Sequence, residues 1–345
     1  MVRAARAHLV RIHPPAPHGG VEAYPFEGAR MTLGTAANCS VTMPDLGIEA
    51  RHAQLDRLRD GTALRVSAVQ DAHTYVNGRK VGQEGADAPL GAVIRLGGVV
   101  LLHRSWTDEE AKAASLPPLP GPVNTCHPMV VDGLRRLQQR RHDGGTFWVI
   151  GESGCGRSVV MDHLRALLEE SSGRDWITGG PSLEAAAQPP DDADPVRTII
   201  LPPLRDRGED MLVLMTSMNG GSLPRLAPEL VEALLLYDWP GNIRELRLTV
   251  ARAHDTRFGA ADSERWELPD FPDVKRYVDE LTGGQDPITL QAPKRPLPRT
   301  EPEMRRLLDA HWWRIYPLAA ATGQSRRAVL QHIFALGIRE PWWRH

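Results

Sequence analysis

No stretch of this 345-residue chain approaches the roughly 18 to 20 apolar residues that a membrane helix needs. Nor does its start form an apolar signal segment, because Arg3 and Arg6 precede only Ala7 to Ile12, a short strand-like run stopped by Pro14 and Pro15. These absences predict a cytoplasmic protein without a membrane partner. Cysteine is scarce: Cys39, Cys126 and Cys155 lie far apart and never form a C-x-x-C pair, which excludes a disulfide framework or a zinc knuckle. An excess of one charge is missing as well. Lys and Arg number 41 against 43 Asp and Glu, a formal charge of -2, so any nucleic-acid partner must be argued locally. What is present is a globular balance, 41% hydrophobic and 24% charged, in a chain long enough for two or three domains.

Three stretches rich in proline, glycine and small residues divide the chain: Ser115 to Pro122, Gly179 to Pro195 and Gly283 to Thr300. The first and third read as tethers, the third extended and basic. The middle one, G-G-P-S-L-E-A-A-A-Q-P-P-D-D-A-D-P, predicts a loop with little capacity to bury surface. The resulting blocks cover about 1 to 112, 123 to 178, 196 to 282 and 301 to 345.

In the first block, short apolar runs separated by turn signals (Met31 to Leu33, Gln54 to Leu58, Ala63 to Val66, Thr74 to Val76, Val93 to Leu102) predict an antiparallel β-sandwich of many small strands. The signposts T-L-G at Thr32 to Gly34, R-H-A at Arg51 to Ala53, Y-V-N-G at Tyr75 to Gly78 and I-R-L-G at Ile94 to Gly97 follow in that order. Over residues 1 to 112 the chain resembles a forkhead-associated (FHA) domain, a family whose loops clasp a phosphothreonine. Carried over by position, the family's phosphate-binding arginine is replaced by Thr35 and its serine by Glu49, while the peptide-gripping asparagine is Ala72. A carboxylate repels phosphate and offers it no proton, so the resemblance implies a protein partner held without phosphate. His52 reads as a packed framework residue, and Asn77 with Gly78 as a tight turn.

Phe147 to Ile150 is an apolar run followed at once by G-E-S-G-C-G-R-S, Gly151 to Ser158, and then by Val159, Val160, Leu164, Leu167 and Leu168. That order is strand, phosphate loop, helix. Gly151, Gly154 and Gly156 would let backbone N–H groups wrap a phosphate at the helix N-terminus, and Ser158 would meet a magnesium ion. Arg157 stands where the loop calls for lysine, and a planar guanidinium is no equivalent of a compact ammonium. No cofactor is therefore expected, and ATP at most weakly. Cys155 reads as a plain loop residue, with acidification by the nearby helix N-terminus as the alternative.

Downstream, I-L-P-P-L-R-D-R-G-E-D at Ile200 to Asp210 and L-A-P-E-L-V-E-A-L-L-L-Y-D-W-P-G-N-I-R-E-L-R at Leu226 to Arg247 closely resemble the end of the AAA+ domain of sigma-54-dependent activators. Leu230, Ala233, Leu234 and Tyr237 have the spacing of a helix burying one face, and Asn242 is a candidate N-cap for the next. The resemblance places Arg244 at a site where an arginine touches nucleotide phosphates; a plain surface arginine is the alternative. It also implies a truncated α/β phosphate-loop domain with a helical lid over 123 to 282, the loop part in 123 to 178 and the lid part in 196 to 282. Between them the family carries its Walker B acids, the G-A-F-T-G-A loop and an arginine finger. Here only about Gly173 to Arg197 remains, where Asp191, Asp192 and Asp194 lack a preceding apolar strand to aim them. Phosphoryl transfer needs a metal, a positioned water and charge stabilisation, so no hydrolysis is expected.

In the last block, Met304, Leu307 and Leu308 mark one helix, I-Y-P-L-A-A-A-T-G a second closed by Gly323, and Ser325 the cap of a third. Residues 301 to 345 form a helix-turn-helix pattern resembling the all-α Fis-type domain. Ser325, Arg326, Arg327, Gln331 and His332 then fall on the recognition helix, suited to phosphates and base edges. From Lys294 to His345, ten Lys or Arg against four Asp or Glu give +6, the local argument for DNA. By analogy such readers pair as homodimers. Two functions remain open: a DNA-binding regulator, or a docking or scaffold protein using the same modules in a signalling or secretion assembly.

Overall fold

In the computed structural model, the described residues are 5–17, 19–45, 47–58, 63–118, 123–140, 146–172, 182–186, 194, 197–256, 265–283, 296–310, 318, 322, 329, 332–333, 335–336 and 338. They fall into two compact units, Met1–Phe271 and Pro272–His345. Pro272–Gly283 lies in the C-terminal unit.

Eleven strands open the first unit. β1 (Arg6–His13), β2 (Glu22–Pro25), β7 (Thr74–Val76), β8 (Arg79–Val81), β10 (Val93–Leu96) and β11 (Val99–Trp106) form a six-stranded sheet in the order β2-β1-β11-β10-β7-β8. β3 (Arg30–Gly34), β4 (Val41–Thr42), β5 (Ala53–Arg57), β6 (Leu64–Ala68) and β9 (Ala86–Ala88) form the second, in the order β4-β3-β5-β6-β9. Leu9, Leu33, Leu55, Val66, Val76, Ile94, Leu96 and Leu101 meet between the sheets, as period-two alternation requires. The run Val93 to Leu102 is thus two strands. Gly97, at φ 50°, lets the chain reverse where a β-carbon would collide with the carbonyl of Gly47. α1 (Asp108–Ala114) ends this part, its first turn closed by a capping box between Thr107 and Glu110.

The six-stranded sheet is covered on its outer face too. All of β10 is buried, and Val10, Val93, Val100 and Leu102, which lie outside the inter-sheet core, are 0–3% exposed. A sheet buried on both faces needs a second layer. It comes from the rest of the unit: α5 (Pro228–Leu236) lies across β10 and β11.

That second part contains α2 (Pro128–Gln139), β12 (Thr146–Gly151), α3 (Arg157–Ser172), β13 (Ser182–Ala186), β14 (Thr198–Leu201), α4 (Met211–Met218) and α6 (Asn242–Thr256). β13, β12 and β14 make a parallel three-stranded sheet with β12 central, and Val130, Leu134, Phe147, Val149, Val160, Leu164 and Ile199 fill its core. β13 falls within the stretch expected to be a structureless loop. Pairing of Ser182–Ala186 with Thr146–Ile150 supplies from tertiary structure what local composition does not.

In the second unit, α7 (Pro272–Gly283) and α8 (Glu301–Ala310) are described, with Met304, Leu308, Leu318, Val329, Ile333 and Ile338 all buried.

Candidate functional site: a phosphate loop braced by lid and sandwich

At the phosphate loop, β12 ends and α3 begins with the turn Glu152 to Gly156 between them. Gly154 takes φ 77° and packs against the lid so closely that a β-carbon would collide with the carbonyl oxygen of Gly241, while the Ile243 N–H donates to the Gly154 carbonyl at 3.0 Å. Gly154→Ala is expected to push lid and loop apart and to cost about 2–4 kcal/mol from strain and the lost contact; a thermal melt of the full chain measures it. The loop therefore brings together Gly151, Gly154, Gly156, Arg157, Ser158 and, across the lid contact, Arg244, whose β-carbon would lie 3.4 Å from one on Gly154. Arg244 and Ser158 are exposed, and Arg157 is half-buried as the first residue of α3.

Cys155 is fully buried, and burial pushes its thiol above the usual range despite Arg207 and Arg157 nearby. Acidification by the helix N-terminus is thus outweighed, and the reading as an inert loop residue stands. Asn242 differs from the expected N-cap. It is buried with φ 54°, and its side chain works across the lid contact: Oδ1 accepts from Leu204 N–H at 2.8 Å, and Nδ2 donates to Glu152 Oε2 at 3.1 Å and Ser153 O at 3.0 Å. Asn tolerates this left-handed backbone better than most residues. Of the acidic trio, Asp191 and Asp192 lie outside the described residues. Asp194 is exposed and faces Arg197 at 3.5 Å.

The segment Arg205 to Asp210 was legible only as a family phrase; its side chains hold the unit together. Arg205 grips Glu152 through two bonds, at 2.6 and 3.1 Å, and Arg207 donates to the Cys155 carbonyl. Asp210, fully buried, accepts from Thr125 Oγ1 and Cys126 N–H at 2.8 Å and from His127 N–H at 3.1 Å, closing the start of α2. Burial raises its carboxyl above the usual range, with Arg207 opposing. Glu209, equally buried, pairs with Arg104 of β11 in a two-pronged ion pair. Burial opposes the Arg104 charge, but Glu209 beside it overcomes that, and the guanidinium is held above its usual value.

A second buried pair joins the sandwich to the lid. Arg95 of β10 donates to Glu232 of α5 at 2.7 Å and to Glu229 at 3.0 Å, and its guanidinium lies 3.8 Å over the Tyr75 ring. Glu232 also accepts from the Gly78 N–H at 2.9 Å. Burial raises the Glu232 carboxyl while Arg95 opposes.

The sandwich loops form a different cluster. Thr35 N–H donates to Glu49 O at 2.9 Å, Ala36 N–H to Ala50 O at 3.0 Å, and buried His52 accepts from Glu49 N–H at 3.1 Å, its other nitrogen lying 3.2 Å from His73 O. Thr35 and Glu49 are exposed, and Ala72 is buried beside His73. Asn77 is not with them. Asn77 and Gly78, at φ 50° and 77°, make a two-residue hairpin turn at the far end of β7, where Asn77 Oδ1 accepts from Val93 N–H at 2.9 Å. This turn faces the lid, where Gly78 N–H donates to Glu232, and lies apart from Thr35, Glu49 and His52.

Of the residues expected to face DNA, Ser325, Arg326, Arg327 and Gln331 lie outside the described residues. His332 is half-buried, with Nε2 2.6 Å from the Pro298 carbonyl, so that nitrogen is engaged within the C-terminal unit. Among the described residues no helix is long and apolar enough to cross a membrane, and no cluster of His, Cys, Asp or Glu could hold a metal ion.

The sandwich with these strand signposts is thus followed, in the same unit, by a strand–loop–helix and a helical segment with the sequence W-P-G-N-I-R-E-L. The FHA domain family matches residues 31–97, and the AAA+ ATPase lid domain family matches 205–264. The chain is similar to transcription regulators. It is 44% identical over 62 residues to the anaerobic nitric oxide reductase transcription regulator NorR of Aliivibrio fischeri, covering 16% of this chain and 12% of that one. It is 31% identical over 159 residues to the HTH-type transcriptional regulatory protein TyrR of Salmonella typhimurium, covering 42% and 29%. The N-terminal FHA domain of S. cerevisiae Rad53p, solved with a phosphothreonine peptide, aligns at 15% identity over 31% of this chain and 98% of that one, with a TM-score of 0.26. The chain carries an FHA domain and an AAA+ lid, and the proteins it is similar to include the putative uric acid sigma-54-dependent transcriptional regulator UacR of Escherichia coli, at 46% identity over 55 residues that cover 14% of this chain and 9% of that one. The chain spans less than a third of the length of NorR and of TyrR.

Proposed function

We propose that this protein is a cytoplasmic DNA-binding transcriptional regulator derived from sigma-54-dependent activators, acting without ATP hydrolysis or remodelling of the sigma-54 polymerase. The observation that carries the reading is the joining of an activator-type phosphate loop and lid to a chain whose last block is basic and patterned as a helix-turn-helix. Between α3 and β14 the chain has about 25 residues, too short by the family's pattern for its acidic pair, sigma-gripping loop and arginine finger. Arg157 in place of lysine weakens nucleotide binding further. The FHA loops, with Thr35 and Glu49 at the phosphate-binding positions, serve a protein partner that needs no phosphate.

The test is binding of the full chain to fragments of its own genome across a range of salt, beside an Arg326→Ala/Arg327→Ala variant. Selective binding is expected, with the variant losing at least about tenfold in affinity and about 2 in the log–log salt slope, one for each phosphate contact removed. Binding that is absent, or indifferent to both changes, sinks the regulator reading and leaves a docking or scaffold protein built from the same modules.

A further inference from the structure

One ion pair to the sandwich and the contacts at the phosphate loop share one short segment. In Arg205 to Asp210, Arg205 and Arg207 reach back to the loop, while Glu209 reaches forward to Arg104 on β11. Gly208 sits where a β-carbon would meet Leu102 of β11 on one side and Leu235 of α5 on the other, at 2.9 and 2.8 Å. Six residues thus touch the phosphate loop, the lid helix and the FHA sheet. The same three bodies meet a second time: α5 is pinned to β10 by Arg95–Glu232, and the start of α6 is pinned to the loop by Asn242 and Ile243. Arg104–Glu209, Arg95–Glu232 and Arg205–Glu152 are buried pairs that each cross a boundary, so separating the bodies strands charge in a low-dielectric interior. The apolar outer face of β10 and β11 would be bared at the same time.

We infer that the FHA module is an intramolecular lock on the AAA+ lid: sheet, lid and phosphate loop open only together, and the lid does not pivot by itself. Such a lid has no independent motion to give to a nucleotide cycle. Whatever binds the loops around Thr35, Glu49 and His73 is instead presented on a platform fixed to the phosphate loop.

Hydrogen exchange of the full chain tests this, because cooperative units share one opening free energy. Peptides from 93–106, 228–250 and 147–158 are expected to share one slowest-exchanging class. Glu232→Gln keeps an acceptor for Gly78 but loses the Arg95 ion pair, and is expected to speed that class about tenfold in all three regions, the distant phosphate loop included. Glu152→Gln, made at the opposite end, is expected to speed exchange in β10 and β11 in return, since coupling is reciprocal. The lock is overturned if lid peptides open faster than the sheet in the unaltered chain. It is equally overturned if each substitution changes exchange only beside itself. Both substitutions are near-isosteric, so the folded state persists for the comparison; Arg95→Lys is a milder third perturbation of the same pair.

Discussion

Replacing Asp210 with alanine is expected to destabilise the N-terminal unit by about 3–5 kcal/mol, the range for breaking a buried charged network by removing one partner. The carboxylate is fully buried and accepts three hydrogen bonds, from the Thr125 hydroxyl and the Cys126 and His127 amides, with Arg207 at 3.6 Å. Those amides belong to the entry of α2, where Pro128 stands at the first turn and the cap residue His127 makes no side-chain cap bond of its own. Asp210 therefore does from a distant segment what an N-cap does locally. With alanine, donors and a guanidinium are left in an interior that water cannot reach, and each unmet donor costs about 1–3 kcal/mol. Asp210→Asn keeps an acceptor and should lose less. Denaturant titration of both variants at unchanged slope reads the difference. Equal losses in the two would mean that charge, rather than capping, is what Asp210 supplies.

The contrast between Asp210 and the phosphate loop explains what the sequence made legible. A phosphate loop is local: an apolar run, glycines at fixed spacing and a helix follow one another, so Gly151 to Ser158 and their elements could be placed from the chain alone. Strands that alternate, such as β3, β5 and β7, were legible for the same reason. The segment Arg205 to Asp210 carries five charged residues in six, which by composition reads as a solvated surface run. Yet Arg207, Glu209 and Asp210 are among the most buried of the described residues: Glu209 pairs with Arg104, 105 positions away, and Arg207 and Asp210 face each other while bonding to Cys155, Cys126 and His127 far back in the chain. No local rule encodes such pairs. The same holds for Arg95, which in I-R-L-G looks like the outward residue of a half-exposed strand, and for Asn242, whose resemblance to an N-cap hid a role across the lid contact. The short strand β13 was missed because its alanines have no strand preference of their own and pair only because β12 is beside them.

Lowering the pH from 7.5 to 5 is expected to cost the folded chain about 2 kcal/mol through His103 alone. The ring is fully buried. Its Nδ1 lies 3.0 Å from Ala88 O and 3.1 Å from Pro89 O, so Nδ1 carries the proton and donates to both, while Nε2 has no hydrogen-bond partner. Protonating Nε2 would bury a charged donor with nothing to receive it, and burial accordingly lowers the pKa to about 4 against the backbone hydrogen bonds that favour the cation. The unfolded chain takes up that proton near pH 6.5 and the folded one only near 4. Stability is therefore fully present above about 6.5 and declines as the pH falls through the window between the two values. His13, also lowered to about 4 by burial and two neighbouring arginines, adds to the slope over the same window. His103→Asn offers an amide donor to the same carbonyls without a titrating nitrogen. Unfolding free energies of this variant from urea titration at pH 7.5 and 5 should differ by about 2 kcal/mol less than those of the unaltered chain. An unchanged pH dependence would mean that water or a local opening reaches Nε2, and that the sandwich under Pro89 is looser than its packing implies.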